Sequence, residues 1–486
     1  MRSEQPTLRL GLNLPMFIAA LIAIATGTFV GMLGIWTAAA WGRPVPEWEK
    51  VGHAHSAWWS VLILIAALVL PSLQLKPWAK KLIIAGTFAG PTLWVGVLAS
   101  YYEIGGPSVW RLESPTLPGT YYELPVIGVV AFVLELLGFV ALGIVGLSAA
   151  GINIPAITAK EPQPKSRYEF LSEVEVPRRI FLIPTLLIAL GVIVGYAINA
   201  VFKLVHQPVS PSALVQLHDH TALLSTSSML LLTMMSVMRV RPRIQNLAFW
   251  LMQVGLPLTF LGLLAFNFGA LPSVVWVAPA AIYYLLILLS IPVALGIYST
   301  VKGETKEHAG GRLTAFNTAL TVCLVGLAIL IAVGAYVAVT WDVSPNITVT
   351  YKQPEGVPYP GPYPAKYLGT APVKETPRGL ENAHLSPGSW YHVAIAWLLI
   401  LSLFGASLFG ANRVGLLYLF AITIPMAPTF NMLGRFLAWL GIPNGIGALW
   451  FAGHPLKGFN LISLFITALL ATYVAGRKTA VIAKHP

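Results

Sequence analysis

Two short motifs place paired histidines at the start of apolar runs. His53 and His55 precede "SAWWSVLILIAALVLP", and His218 and His220 precede "TALLSTSSMLLLTMM". On a helix, residues two apart are separated by about 200° of rotation and about 3 Å of rise, so the two rings lie at similar depth and point to opposite sides. Each such helix can present one imidazole to each of two neighbouring helices. Imidazoles that face one another across adjacent helices are suited to axial ligation of haem iron.

A third run, "SPGSWYHVAIAWLLILSLFG" (386–405), carries a single histidine in a comparable place. Aligning His392 with the second histidine of the other copies puts Trp390 in the place of the first. Polar groups within membrane spans are costly and tend to mark function, so these matched positions predict metal or haem ligation by at least two histidines. Any single histidine at a membrane interface is more often a polar cap, and that alternative stays open for each one. His384 is a further candidate to cap a site at this end.

The composition indicates which class of protein contains these motifs. Hydrophobic residues make up 56% of the 486 residues and charged residues only 10%, which is typical of an integral membrane protein. A hydrocarbon core of about 30 Å requires about 20 apolar residues per helix, so the sequence predicts an all-α fold with about twelve transmembrane helices. The predicted spans are residues 14–37, 54–73, 82–103, 123–149, 179–202, 214–238, 246–268, 273–298, 313–340, 389–409, 412–433 and 457–476.

The distribution of charge predicts the orientation of these spans. Placing both termini in the cytoplasm assigns most Lys and Arg residues to cytoplasmic loops, as the positive-inside rule requires. The histidine motifs then face the extracytoplasmic side of the cell membrane. The net charge of +12 is explained by this topology and by attraction to anionic lipid, so binding of nucleic acid is not expected. The single cysteine, Cys323, excludes disulfides and thiolate clusters.

The predicted spans divide into three modules of four helices, and the second helix of each module carries the histidines. The modules comprise residues 1–158, 159–300 and 301–486, separated by charged segments that are predicted to be cytoplasmic linkers. The third module contains a long outer loop, 341–387, which favours docking of an extracytoplasmic redox subunit. The glycine-containing stretch 435–453 is predicted to be an interfacial or re-entrant connector.

The stretch "GTFVGMLGIWTAAAWGRPVPEWEKVGHAHSAWW" (27–59) resembles the heme-copper oxidase subunit I superfamily, which includes nitric oxide reductase. In that superfamily, histidines on helices 2, 6 and 10 hold the redox centres. The NnrS family, which has a similar His-Ala-His opening and is associated with haem and nitric oxide stress, is the nearest competing resemblance. The topological resemblance covers almost the whole chain, whereas the motif resemblance covers three short windows.

The resemblance implies which residues would hold the cofactors, and it shows that the histidines of the copper site are missing. It implies a low-spin haem between His55 (or His53) and His392, whereas the position of the high-spin ligand falls on Trp390. A second haem between His53 and either His218 or His220 is a further expectation, which gives one or two haems b. The stretch 246–270 lacks the histidine pair that the copper site needs, so copper and an oxygen-reducing centre are not expected.

Several neighbouring residues are candidates for supporting roles. Aromatic residues near the motifs, which suit either a porphyrin face or a membrane-interface belt, are Trp58, Trp59, Tyr391 and Trp397. Asp219 is a candidate to orient a ligand imidazole through its free N–H, or to be a solvated helix start. Glu135 is a carboxylate within a predicted span, which indicates a proton route or a quinone contact.

These observations favour a membrane-integral b-type cytochrome. It would be a subunit of a respiratory oxidoreductase complex that moves electrons between the quinone pool and an extracytoplasmic cytochrome or other redox subunit. The alternatives are an NnrS-like haem or copper protein of nitric oxide metabolism, a polytopic metal-handling transporter and a non-redox structural anchor.

Overall fold

The computed structural model of the protein describes most of the chain. The described residues are 6–41, 47–92, 112–114, 117–122, 126–161, 166–198, 212–267, 272, 274–302, 310–343, 376–409, 414–439, 443–476 and 482–483. They are mostly helical. The helices are α1 (Leu14–Trp41), α2 (Glu47–Val69), α3 (Pro77–Thr87), α4 (Val126–Ala149), α5 (Leu182–Ile198), α6 (Ser212–Val237), α7 (Pro242–Asn267), α8 (Val274–Lys302), α9 (Gly310–Val343), α10 (Thr376–Phe409), α11 (Val414–Trp439) and α12 (Pro443–Gly476).

Most of these helices suit a lipid environment. Within the described residues, 9 helices are long and apolar enough to cross a membrane, and two shorter apolar segments are Leu14–Thr28 and Val133–Ala149. A helix satisfies its own backbone hydrogen bonds, which is the requirement that the membrane interior imposes. The prediction of a mainly helical, multi-pass membrane protein is therefore confirmed in outline. The count of twelve spans, the cell membrane as location and the cytoplasmic termini stay predictions.

The three histidine-bearing helices, α2, α6 and α10, pack against one another at the centre of the bundle. Their apolar spans are 78%, 78% and 89% buried within the protein, whereas the other six candidate spans are only 39% to 50% buried. The outer helices present large apolar side chains such as Ile193, Leu247 and Leu469 on their exposed faces. The histidine motifs therefore belong to the innermost helices of the fold.

Helix pairing recurs along the chain. In each predicted module the first helix packs on the second, as α1 does on α2, α5 on α6 and α9 on α10. The third helix likewise packs on the fourth in all three. This arrangement places α1, α5 and α9 beside the three histidine-bearing helices. The boundaries of the modules stay predictions.

A small sheet corrects the purely helical prediction. Strand β1 (Thr7–Asn13) pairs antiparallel with β4 (Glu169–Pro177), and β5 (Ile482–Ala483) pairs parallel with β4. A separate hairpin joins β2 (Leu112–Ser114) to β3 (Leu117–Tyr122). The segment 159–179, predicted to be a charged linker, thus contains the central strand of the first sheet.

Polar contacts fasten this sheet to the helices. Asn13 caps α1, because its Oδ1 accepts a hydrogen bond from the backbone N–H of Met16 at 3.1 Å. Glu169 forms an ion pair with Lys80 at 3.0 Å, and its carboxylate is only 3% exposed. The sheet therefore ties the starts of α1 and α3 to the segment before α5.

Two helix boundaries differ from the sequence-based expectations. Of the stretch 435–453, predicted to be a connector, residues 435–439 belong to the end of α11 and 443–453 to the start of α12, while 440–442 lie outside the described residues. Helix α10 begins at Thr376 rather than near residue 389, so His384 lies within a helix. Most of the long loop 341–387, namely residues 344–375, lies outside the described residues.

Candidate functional site

One histidine on each of α2, α6 and α10 makes the same hydrogen bond to the preceding helix. The Nδ1 to carbonyl distances are 2.9 Å for His53 to Gly27, 2.7 Å for His218 to Gly191 and 2.7 Å for His384 to Leu330. Because a carbonyl oxygen only accepts, Nδ1 must carry the proton in each ring. The lone pair then resides on Nε2. Metal-ligating histidines commonly have this tautomer and donate their other ring N–H to a carbonyl or carboxylate oxygen.

Glycines make room for these rings. The residue four positions after each carbonyl acceptor is a glycine: Gly31, Gly195 and Gly334. A Cβ atom at Gly195 would lie 2.6 Å from Cε1 and Nδ1 of His218, and one at Gly334 would lie 2.7 Å from the same atoms of His384. Any side chain at either position would therefore displace the imidazole from its carbonyl partner.

This repeated contact gives a different alignment of the third copy. His384 makes the same contact as the first histidine of the other two copies, a position that sequence alignment had given to Trp390. Trp390 instead packs on α12, where Lys457 Nζ lies 5.2 Å from its ring centre. The second position of the motif is then His in the first two copies and Ser386 in the third.

The structure brings four of these histidines together as two pairs. The ring centres of His55 and His218 are 5.8 Å apart with an angle of 30° between the ring planes. Those of His220 and His384 are 6.5 Å apart with an angle of 10°. In both pairs the second histidine of one copy meets the first histidine of the next.

His392 has a different environment from that predicted. Its Nδ1 donates to the carbonyl of Gly388 at 2.7 Å, and its Nε2 accepts from the hydroxyl of Tyr284 at 2.7 Å. Trp58 packs on its ring with 4.6 Å between the ring centres. His392 would have to release Tyr284 before its Nε2 was available to a metal. The ring beside His55 is that of His218, which differs from the predicted pairing of His55 with His392.

The histidines of the predicted second haem site have other contacts in the structure. His53 was expected to pair with His218 or His220 across α2 and α6. His218 has a ring contact with His55, and His220 has ring contacts with His384 and Trp276. The second haem site with His53 as a ligand stays a prediction.

The Asp219 carboxylate does not orient a histidine in the predicted way. Its Oδ1 lies 3.8 Å from Nε2 of His218, which is too long for a hydrogen bond. The carbonyl of Gly191 fixes the ring from the opposite nitrogen instead. The Asp219 side chain is 44% exposed.

The four predicted aromatic neighbours mostly support helix packing. Trp58 alone among them has a ring contact to a motif histidine in the described structure, as given above for His392. The partners of the others are Phe139 for Trp59, Thr429 for Tyr391 and Ser463 for Trp397. Trp276 on α8, which sequence reasoning missed, packs on His220 with 4.7 Å between ring centres.

Glu135 has a partner on the neighbouring helix. Its carboxylate accepts a hydrogen bond from the hydroxyl of Tyr196, and Glu135 is only 9% exposed. Tyr196 directly follows Gly195, against which His218 packs. The buried carboxylate is therefore linked to the helix that orients His218.

Each histidine pair offers two ligands, which suits a cofactor that takes two ligands from the protein. Within the part of the chain that the structure describes, no group of three or more His, Cys, Asp or Glu side chains is placed to hold a metal. Zinc and copper sites commonly take three or four protein ligands, whereas a porphyrin supplies four nitrogens and needs two axial ligands. Two metal–nitrogen bonds of about 2 Å, added to the distance from each Nε2 to its ring centre, give roughly 6 Å between ring centres. Both histidine pairs have this spacing.

The fold and the histidine pairs define a helical, multi-pass membrane protein with opposed imidazoles between its innermost helices. No protein-family model matches the chain, and no curated protein or solved structure is similar to it. The assignment of function therefore depends on the geometry of the site.

Proposed function

We propose that the protein is a membrane-integral b-type cytochrome that transfers electrons between the quinone pool and an extracytoplasmic redox partner. It acts as a subunit of a respiratory oxidoreductase complex without an oxygen-reducing copper centre of its own. Haem, when bound, supplies the one-electron carrier. The protein would supply the histidines that hold the haem. Neighbouring residues orient those histidines and shield them from water.

The observation that carries this proposal is the pairing of His55 with His218. Their ring centres are 5.8 Å apart between two helices whose spans are each 78% buried. The Nδ1 of His218 is held by the Gly191 carbonyl at 2.7 Å, which keeps its Nε2 as the coordinating atom. An imidazole oriented before the cofactor binds loses less conformational freedom on ligation.

An apolar groove between α7 and α8 supports quinol as the electron donor. Its cavity volume is about 870 Å³, and its lining is mainly aliphatic and aromatic. Gly262 in the lining lies against Trp276, because a Cβ there would be 2.8 Å from the Trp276 Cα. Trp276 in turn packs on His220. A donor in the groove would thus be one aromatic residue away from the histidine pairs.

The position of the histidines on their helices supports an extracytoplasmic redox partner. His55 and His218 lie near the first residues of α2 and α6, at the end that the positive-inside rule assigns to the extracytoplasmic side. A haem there is accessible to a partner protein at the membrane surface. The long loop that enters α10 is the proposed docking element for that partner.

The ligand assignment is tested with His55→Ala, His218→Ala and His392→Gln variants of the full-length protein. Haem is quantified by pyridine haemochrome, and the purified proteins are compared by reduced-minus-oxidised spectra. We expect both alanine variants to lose the same haem. His392→Gln should keep it, because a glutamine side chain retains a hydrogen-bonding partner for Tyr284 without serving as a histidine ligand.

The result distinguishes the two pairings of His55. Loss of that haem in His392→Gln, together with its retention in His218→Ala, would replace the His55 and His218 pair with His55 and His392. A haem-free parent protein that elutes as a single folded species would refute the cytochrome function. Metal analysis of that protein would then address a metal-handling role.

A further inference from the structure

We infer that His220 and His384 form a second haem site, which lies between α6 and α10. This inference rests on the proposed function and adds a second redox centre to it. It replaces the expectation that a second haem would use His53. His384, which appears in sequence as a residue of a loop, becomes an axial ligand.

The spacing of this pair suits two imidazoles that bind one metal. The ring centres are 6.5 Å apart, and the ring planes differ by only 10°. The spacing agrees with the roughly 6 Å expected for two imidazoles on opposite sides of one metal. The Trp276 ring, 4.7 Å from that of His220, encloses the pair on its α8 side.

His384 is oriented in the same way as His218. Its Nδ1 donates to the Leu330 carbonyl on α9 at 2.7 Å, which leaves the Nε2 lone pair for a metal. Gly334, one helical turn further along α9, leaves space for its ring. His53 makes the same contact with the Gly27 carbonyl, so the contact orients the first histidine of all three copies, and the opposing imidazole is what distinguishes the two proposed sites.

The repeat also explains why two sites are expected and not three. In each site the second histidine of one copy meets the first histidine of the next. The third copy has Ser386 at its second position, so it offers no imidazole to His53. His53 nevertheless keeps its bond to the Gly27 carbonyl, at 2.9 Å.

The two sites share helix α6 and lie at similar depth. His218 and His220 are separated by about 3 Å of rise and point to opposite sides of the helix. Haems in the two sites would therefore be close neighbours on either side of one helix. This arrangement suits exchange of electrons between them, with Trp276 and the apolar groove beside the second site.

The experiment compares haem stoichiometry in the parent protein with that in His384→Ala and Gly334→Ala. Gly334→Ala displaces the imidazole without removing it, and Gly458→Ala is its matched control because a Cβ there meets nothing within 4 Å. Haem per protein is measured by pyridine haemochrome, and the number of redox centres by potentiometric titration. Size-exclusion elution and helical circular dichroism confirm that each variant is folded.

We expect two haems per chain in the parent and in Gly458→Ala, one in His384→Ala, and fewer than two in Gly334→Ala, where the displaced imidazole binds the second haem more weakly. The remaining haem should be the one that His55→Ala removes. Two haems retained in a folded His384→Ala would overturn the inference. A parent with a single haem that depends on His55 but not on His384 would also overturn it, while the proposed function stands. A parent without haem would refute the proposed function itself, and the inference with it.

Discussion

Replacing Gly195 with alanine tests how the protein orients its first ligand. The added methyl group would lie 2.6 Å from Nδ1 and Cε1 of His218. Because carbon contacts are favourable only at about 3.5 to 4.0 Å, the ring must retreat by about 1 Å. Its bond to the Gly191 carbonyl, now 2.7 Å, would then exceed hydrogen-bonding distance. Losing such a supporting contact typically weakens metal binding about 10- to 100-fold, or about 1.4 to 2.8 kcal/mol.

The assay is the rate at which purified Gly195→Ala loses haem to an excess of a haem-scavenging protein. We expect loss from the His55 and His218 site to be about 10- to 100-fold faster than in the parent. Gly143→Ala is the matched control, because a Cβ there meets nothing within 4 Å. Alanine favours helices over glycine by up to about 1 kcal/mol, so helix propensity alone would stabilise both variants. Parent-like haem retention in Gly195→Ala would refute the proposed role of the His218 orientation.

Three further changes test the surrounding structure. Tyr284→Phe leaves Nε2 of the buried His392 without its hydrogen-bond donor, so we expect the protein to be about 1 to 3 kcal/mol less stable. Its haem content should be unchanged, and loss of haem would contradict this expectation. Tyr196→Phe removes the hydroxyl that Glu135 accepts from, and a lower thermal unfolding temperature is expected; an unchanged temperature would show that the bond contributes nothing. Asn13→Ala removes the cap of α1 and should cost about 1 kcal/mol, measured by chemical denaturation; an unchanged free energy of unfolding would contradict the capping role.

The apolar runs alone were sufficient to predict most of the helices. Within the described residues, most long runs without charge are helical, because a membrane span and a buried core helix require the same residues. The strand β4 has the sequence "EFLSEVEVP", in which apolar and polar residues mainly alternate, as on a half-buried strand. Its charges indicated a linker instead. Its pairing with β1 joins segments more than 150 residues apart, which a local pattern does not reveal.

The candidate site was predicted in part. The rotation between residues two apart on a helix predicts that each motif faces two neighbouring helices, but it does not say which histidines lie opposite one another. His384 was harder to recognise, because Arg378, Glu381 and Pro387 nearby are typical of a loop. The carbonyl groups that hold the three first histidines have no sequence signature of their own. The sequence does show a glycine four residues after each carbonyl acceptor. This glycine indicates space for a histidine ring only when the preceding helix is known to pack against the histidine-bearing helix.

The most direct test of the account is the reduced-minus-oxidised absorption spectrum of the purified full-length protein, with haem quantified as its pyridine complex. Opposed imidazoles between α2 and α6, and between α6 and α10, predict the sharp bands of low-spin b-type haem. A correctly folded protein that gives no such bands after expression with haem supplied would contradict the central claim.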